Sequence, residues 1–160
     1  MSPEERAALI VQYSTAPARL HRAWNDVPAP ARLWRPAPGE WSAHEVIVHC
    51  ADSEAYAAIR IRLLAAEPEP IIVGYDEAHW AEVFSYHDRP IASAFAVIDA
   101  VRASTADLII HLTDAQWAKV GTHTTSGPYS AEDWLHSYAA HLDDHVAQIH
   151  TNVALWSSRN

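Results

Sequence analysis

The stretch SAEDWLHSYAAHLDDHVAQIHTNV, Ser130 to Val153, decides the fold. Ser130 and Asp133 stand three apart, the spacing at which a serine hydroxyl caps a free helix amide and an acid reaches back. No glycine or proline interrupts the chain from there to Val153. Leu135, Ala139, Leu142, Val146, Ile149 and Val153 recur every three or four residues, which is helical periodicity. The spacing predicts one helix from 131 to about 156. Beside its apolar stripe runs a second one, Trp134, Tyr138, His141, His145 and Gln148, so the two histidines face a flank or cleft rather than open water.

The same signals recur along the chain. Ser2-Pro3-Glu4-Glu5 opens a helix from 3 to about 25, with proline at its favoured first position, and Pro17 is expected to kink or break it. Ser42-Ala43-His44-Glu45 opens a second from 43 to 66, ending at the EPEP run of Glu67 to Pro70. Asp88 and Pro90 start a third, where Ile91, Ala94, Ile98, Val101, Thr105, Leu108 and Leu112 extend to about 112. Thr113-Asp114-Ala115-Gln116 opens a short turn of helix before Gly121. Ile71-Ile72-Val73 is the one short extended piece expected. The reading is all-α: a four-helix bundle in one domain, 1–160, with no internal repeat or linker.

A chain of 160 residues can bury a sizeable core. With 11 basic and 20 acidic side chains the formal charge is −9, and no basic run appears, so nucleic acid is not an expected partner. The lone Cys50 excludes an internal disulfide framework and fits a reducing compartment. The acidic start, MSPEERAALIVQY, is not read as a signal peptide, and no apolar run approaches the roughly 20 residues that span a bilayer. A cytoplasmic protein without membrane contact is expected.

Of the eleven histidines, His21, His44, His79, His87, His111, His136 and His150 fall on loops, helix ends or separate faces and read as solvated or structural. His141 and His145 differ because residues four apart on a helix share a face, so two imidazoles can grip one ion. His150 points roughly 140° away from His145 and is excluded from that grip. The third ligand is placed at His49, two turns into the helix pinned by the Ser42–Glu45 box. Asp52 comes three residues after it on the same side, as an outer contact of the ion or one arm of a local salt bridge. Asp144, between the pair on the last helix, either orients a ligand or is an exposed acid. Cys50 is rotated about 100° from His49 and reads as core. With no fourth protein ligand evident, the ion would keep a position open to solvent, as catalytic zinc sites do.

Gly39-Glu40-Trp41-Ser42, His49 with Ala51-Asp52-Ser53-Glu54, Gly127-Pro128-Tyr129-Ser130 as a turn, and His141-x-x-x-His145-x-x-Gln148-Ile149 together resemble the DinB/YfiT-like superfamily over nearly the whole chain. The resemblance implies a four-helix bundle binding a divalent metal through His49, His141 and His145. It leaves the chemistry open among metal-dependent hydrolases, thiol-dependent S-transferases and a thiol-dependent isomerase.

Three neutral imidazoles on zinc or nickel can acidify a water or hold a low-molecular-weight thiol as thiolate. The first gives a hydrolase and the second a transferase. A thiol carrying carboxylates would want basic residues, of which Arg60, Arg62 and Arg89 are candidates. Trp41, Trp80, Trp117 and Trp134 are either aromatic walls or core anchors. His123, in the loop before the last helix, is either a plain loop histidine or an acid, base or substrate contact at the rim; Asp76 and Trp80 share that ambiguity in the other long loop. The expected partners are a small-molecule substrate and, in a homodimer, a second copy of the chain. The rival readings are a stress-related, non-catalytic metal- or small-ligand-binding bundle, and histidines that merely satisfy one another.

Overall fold

The computed structural model describes residues 1–159. Four long helices carry it: α1 (Pro3–Asn25), α2 (Ala43–Ala66), α4 (Ile91–Ile109) and α6 (Ala131–Ser157). Two short ones, α3 (Glu77–Val83) and α5 (Asp114–Trp117), lie in the connections. The boxes at Ser2/Glu5, Ser42/Glu45, Thr113/Gln116 and Ser130/Asp133 all close reciprocally, each satisfying amides that a helix start leaves free. The main packing contacts are α1 with α6, α6 with α2, α2 with α4, and α4 with α1. The helices therefore form a ring in that order, and the chain crosses the bundle between α1 and α2 and again between α4 and α6.

Three details differ from the sequence reading. First, α1 runs through Pro17 without ending. Proline cannot donate to the carbonyl four residues back, that of Tyr13. Arg102 of α4 replaces the missing donor, its Nη1 lying 2.8 Å from the Tyr13 carbonyl oxygen. Second, α4 stops at Ile109, short of the expected 112. Third, there is a small sheet. Ile71–Ile72 (β1) pairs in parallel with Val120–His123 (β2), which pairs antiparallel with Gly127–Ser130 (β3). The segment expected as a turn before the last helix is thus β3, with its turn at 124–126. A strand of four residues carrying one buried position offers too little alternation to be seen in sequence.

The core divides at mid-height. One apolar cluster holds Leu20, Trp24, Ile47, Cys50, Phe95, Ile98, Leu142 and Ile149; the other holds Tyr13, Ile61, Leu64, Ile109, Trp117, Trp134 and Leu135. Between them along α2 and α4 lie the buried polar side chains Ser53, Glu54, Arg102 and Thr105. Among the described residues no helix is long and apolar enough to cross a membrane.

Gly121 is the position where the sheet meets the bundle. A Cβ there would stand 2.6 Å from the Pro70 carbonyl oxygen and 3.1 Å from Leu64 Cδ2, so only glycine lets the backbones approach. Gly121→Ala is expected to cost about 1–3 kcal/mol, the usual range for overpacking, measured as a lower denaturation midpoint in urea. An unchanged midpoint would show that the sheet is not docked as described.

Candidate metal centre

The three histidines singled out by spacing come together. His49 from α2 and His141 and His145 from α6 each present one ring nitrogen such that all three lie within 4.8 Å of one another. The capped start of α2 sets the direction of His49, and the four-residue spacing on α6 stacks the other two on one face. His49 is buried, its side chain only 1% exposed, while His141 and His145 are half-buried and give the cluster its open side.

Each α6 imidazole is held from behind. His141 Nδ1 lies 2.8 Å from Glu54 Oε1, and His145 Nδ1 lies 2.8 Å from Gln148 Oε1. A carboxylate or amide oxygen can only accept, so both Nδ1 atoms carry a proton, and in the neutral ring each Nε2 keeps its lone pair. This is how metal-binding histidines are oriented, with an acceptor fixing the tautomer. Glu54 is itself fully buried and receives Arg102 Nη2 at 2.5 Å. Burial pushes its carboxyl up, but the bonds from His141 and Arg102 outweigh this and keep it below the usual glutamate range.

Electrostatically two of the three rings, His49 and His145, are unsuited to protons. Burial, then the charges of His145 and His141, depress His49 to about 2. Burial and His141 depress His145 to about 4, against the weaker opposing effect of Gln148. Three imidazole nitrogens crowded within 4.8 Å of one another in a desolvated place fit a bound cation. The residues therefore suit a divalent metal by charge state, donor type and number, and three nitrogen donors leave room for a further ligand.

The other candidates fall elsewhere. Asp52 accepts a hydrogen bond from the Tyr86 hydroxyl at 2.7 Å, which braces the α3–α4 connection rather than forming a salt bridge on α2. Asp144 is exposed. His123 Nδ1 accepts from the amides of Thr125 and Ser126, so it closes its own turn. Arg60 donates to the Tyr138 hydroxyl and the Val73 carbonyl, and Arg62 to Ala58 and Thr105. Cys50 is core, its thiol pushed up by burial. Asp76 caps α3 through the His79 amide. Trp117 and Trp134 are core anchors, and Trp80 packs with Tyr56, Tyr75 and Phe84. Trp41 is the wall: its indole packs on His49 with ring centroids 4.6 Å apart, and Asn152 of α6 holds its carbonyl.

Sequence reasoning misses three parts of this arrangement. Glu54 and Arg102 are paired over a separation of 48 residues, which no local pattern shows. Gln148 reads in sequence as a neighbour on the stripe and a member of the last-helix motif, with no sign of its bond to His145. Glu77, in what reads as loop, brings Oε2 to 3.9 Å from His49 Nε2.

A helical bundle with a three-histidine cluster at one side defines a class of metal-binding proteins. The matching family model is that of the DinB superfamily, over residues 12–149, and the chain belongs to that superfamily. It is 34% identical over 111 residues to a protein of Oceanobacillus iheyensis whose name records a provisional assignment as a metal-dependent hydrolase; the match covers 69% of this chain and 64% of that relative. With YfiT of Bacillus subtilis, which carries the same provisional assignment, it is 28% identical over 151 residues, covering 93% of this chain and 84% of YfiT. The solved structure of YfiT, described as a "probable metal-dependent hydrolase with an unusual four-helix bundle topology", superposes with a TM-score of 0.88 at 26% identity, over 95% of this chain and 87% of that one.

The centre can be tested in two ways. His49→Ala, His141→Ala and His145→Ala should each lose most of the bound metal, measured by elemental analysis, whereas His150→Ala should not. Equal losses in all four would show the site is misplaced. The second test concerns pH. A histidine kept neutral in the fold but free to protonate when unfolded makes the unfolded state bind more protons, so stability falls as pH falls. For His145 this loss should run from the ordinary value of 6.5 down to about 4 in metal-free protein and then stop. The slope of urea stability against pH across that window should be shallower in His145→Ala than in the wild type; equal slopes would contradict it.

Proposed function

We propose that this protein is a metal-dependent enzyme acting on a small molecule, a hydrolase in the first reading, with zinc or nickel held by His49, His141 and His145. The observation that carries the reading is the pair of engaged Nδ1 atoms, on His141 and His145, which leaves Nε2 as the free donor on two of the three rings that cluster. The relatives' provisional assignment as metal-dependent hydrolases supports it. A divalent ion held there supplies Lewis acidity and makes a coordinated water or thiol more acidic.

The chain's own residues do the rest. Glu54 and Gln148 hold the imidazole planes and tautomers, so the donors need no reorientation when the ion arrives. Trp41 covers the flank of His49 and keeps solvent from its buried ring. On another side, Trp41 joins Arg35, Glu45, Ala78 and Ala81 in lining a cavity of about 340 Å³. That volume lies at the lower end of the range for small-ligand pockets and shares a wall with the centre, so it suits the part of a substrate that does not react.

The metal-loaded protein should be screened against ester, amide and thiol-transfer substrates. Turnover that disappears on chelation, returns with metal and is absent in His145→Ala is the expected result. Turnover only with a low-molecular-weight thiol present would assign a transferase. Stoichiometric metal with no turnover in any class would favour a non-catalytic metal- or small-ligand-binding bundle.

A further inference from the structure

We propose that Glu77 is a displaceable fourth ligand of the centre, a role that rests on the three-histidine metal site described above. Donor atoms bound to one zinc ion at about 2.0–2.1 Å and near-tetrahedral angles stand about 3.3 Å apart. The three histidine nitrogens lie within 4.8 Å of one another, and Glu77 Oε2 lies 3.9 Å from His49 Nε2. Glu77 stands outside the trio and approaches it at the His49 corner, at a separation somewhat longer than that of two ligands of one ion, so its side chain turns inward to bind.

Its mounting suits a ligand that comes and goes. Glu77 is the first residue of α3, whose start is fixed by the Asp76 cap, so its Cα has a defined place. Its side chain is 52% exposed, whereas that of Glu54 behind His141 is 0% exposed. No residue of α3 is fully buried, and the helix is fastened through Trp80 against Tyr56 and Tyr75 and through Trp80 and Ala81 against the core. Rotation of a half-solvated glutamate between ion and water costs little desolvation in either position. The other acids are committed or remote: Asp52 to Tyr86, Glu54 to Arg102 and His141, and Asp144 to solvent. The charge of Glu77 also reaches into this end of the bundle, where it adds to burial in raising the Tyr75 and Tyr86 hydroxyls.

The exchange balances. One carboxylate oxygen leaves the ion as one donor atom of the incoming ligand arrives, and the net charge is conserved when that donor is anionic. Glu77 therefore weakens every entering ligand by competition and discriminates most against neutral donors, because only an anionic oxygen, nitrogen or sulfur replaces the charge that it withdraws from the ion.

Cobalt(II)- and zinc-loaded full-length protein tests this with azide as the probe. Glu77→Ala and Glu77→Gln are compared with Glu82→Ala, which removes the same charge from the same helix. Loss of the Glu77 carboxylate should change the visible cobalt spectrum, weaken zinc about tenfold, in the range seen when groups around a metal are removed, and tighten azide by a similar factor. Glu82→Ala should do none of these. Glu77 variants that match Glu82→Ala in all three readouts overturn the role of Glu77 while leaving the centre intact. A wild type that takes up neither metal overturns both.

Discussion

The guanidinium of Arg102 is the constraint on which the rest of the bundle depends. It is buried, and it touches every long helix: it belongs to α4, bonds the Tyr13 carbonyl of α1 and the Tyr138 carbonyl of α6, and pairs with Glu54 of α2. It also lies over the Tyr13 ring, 3.9 Å from the centroid. A buried charge is tolerated only when paired and hydrogen-bonded, and removing one partner of such a pair typically costs about 3–5 kcal/mol. The polar layer between the two apolar clusters therefore fixes the relative height of the four helices. Apolar packing alone would tolerate a slide by one turn far better than this layer does.

The same layer ties the fold to the site. Glu54 Oε1 receives Arg102 on one side and His141 on the other. The helix register that lets Arg102 reach the carbonyl vacated by Pro17 also sets Glu54 under His141. A proline in mid-helix, which reads as a defect in isolation, is here part of the chain of contacts that ends at a ligand nitrogen. A shift of α4 against α1 would strand the Tyr13 carbonyl, uncover Glu54 and free the His141 ring at once.

Range decides how much of this is legible in the sequence. Capping boxes act over three residues and helical periodicity over four, so α1, α2, α6 and the direction of His49 can be read from the chain. The HxxxH pair is likewise local, and it lies where expected. Arg102 sits mid-way along an apolar stretch and resembles any exposed arginine of a helix until its partner, 48 residues away, is placed. The sheet is hidden because β1 holds two residues and β2 four, and its docking depends on Gly121 meeting Pro70, a non-local contact. Of the kink or break expected at Pro17, the break does not occur, for the same reason: the replacement donor comes from another helix.

The charges around the centre decide what it can accept. His49 and His145 are neutral by desolvation, and Glu54 spends its charge on Arg102 as much as on His141. A divalent ion placed among these groups would keep most of its charge, in a place partly shielded by Trp41 where that charge is screened less than in water. An uncompensated dication at the edge of a low-dielectric core favours anionic donors on its open side. The half-exposed Glu77 is the acid of this chain that stands there, and the net −9 of the molecule does not replace it, because distant surface acids are screened within about 10 Å at ordinary ionic strength. The centre is thus built to hold its ion with neutral groups from the rigid helices and to leave the balancing charge to a group that can move.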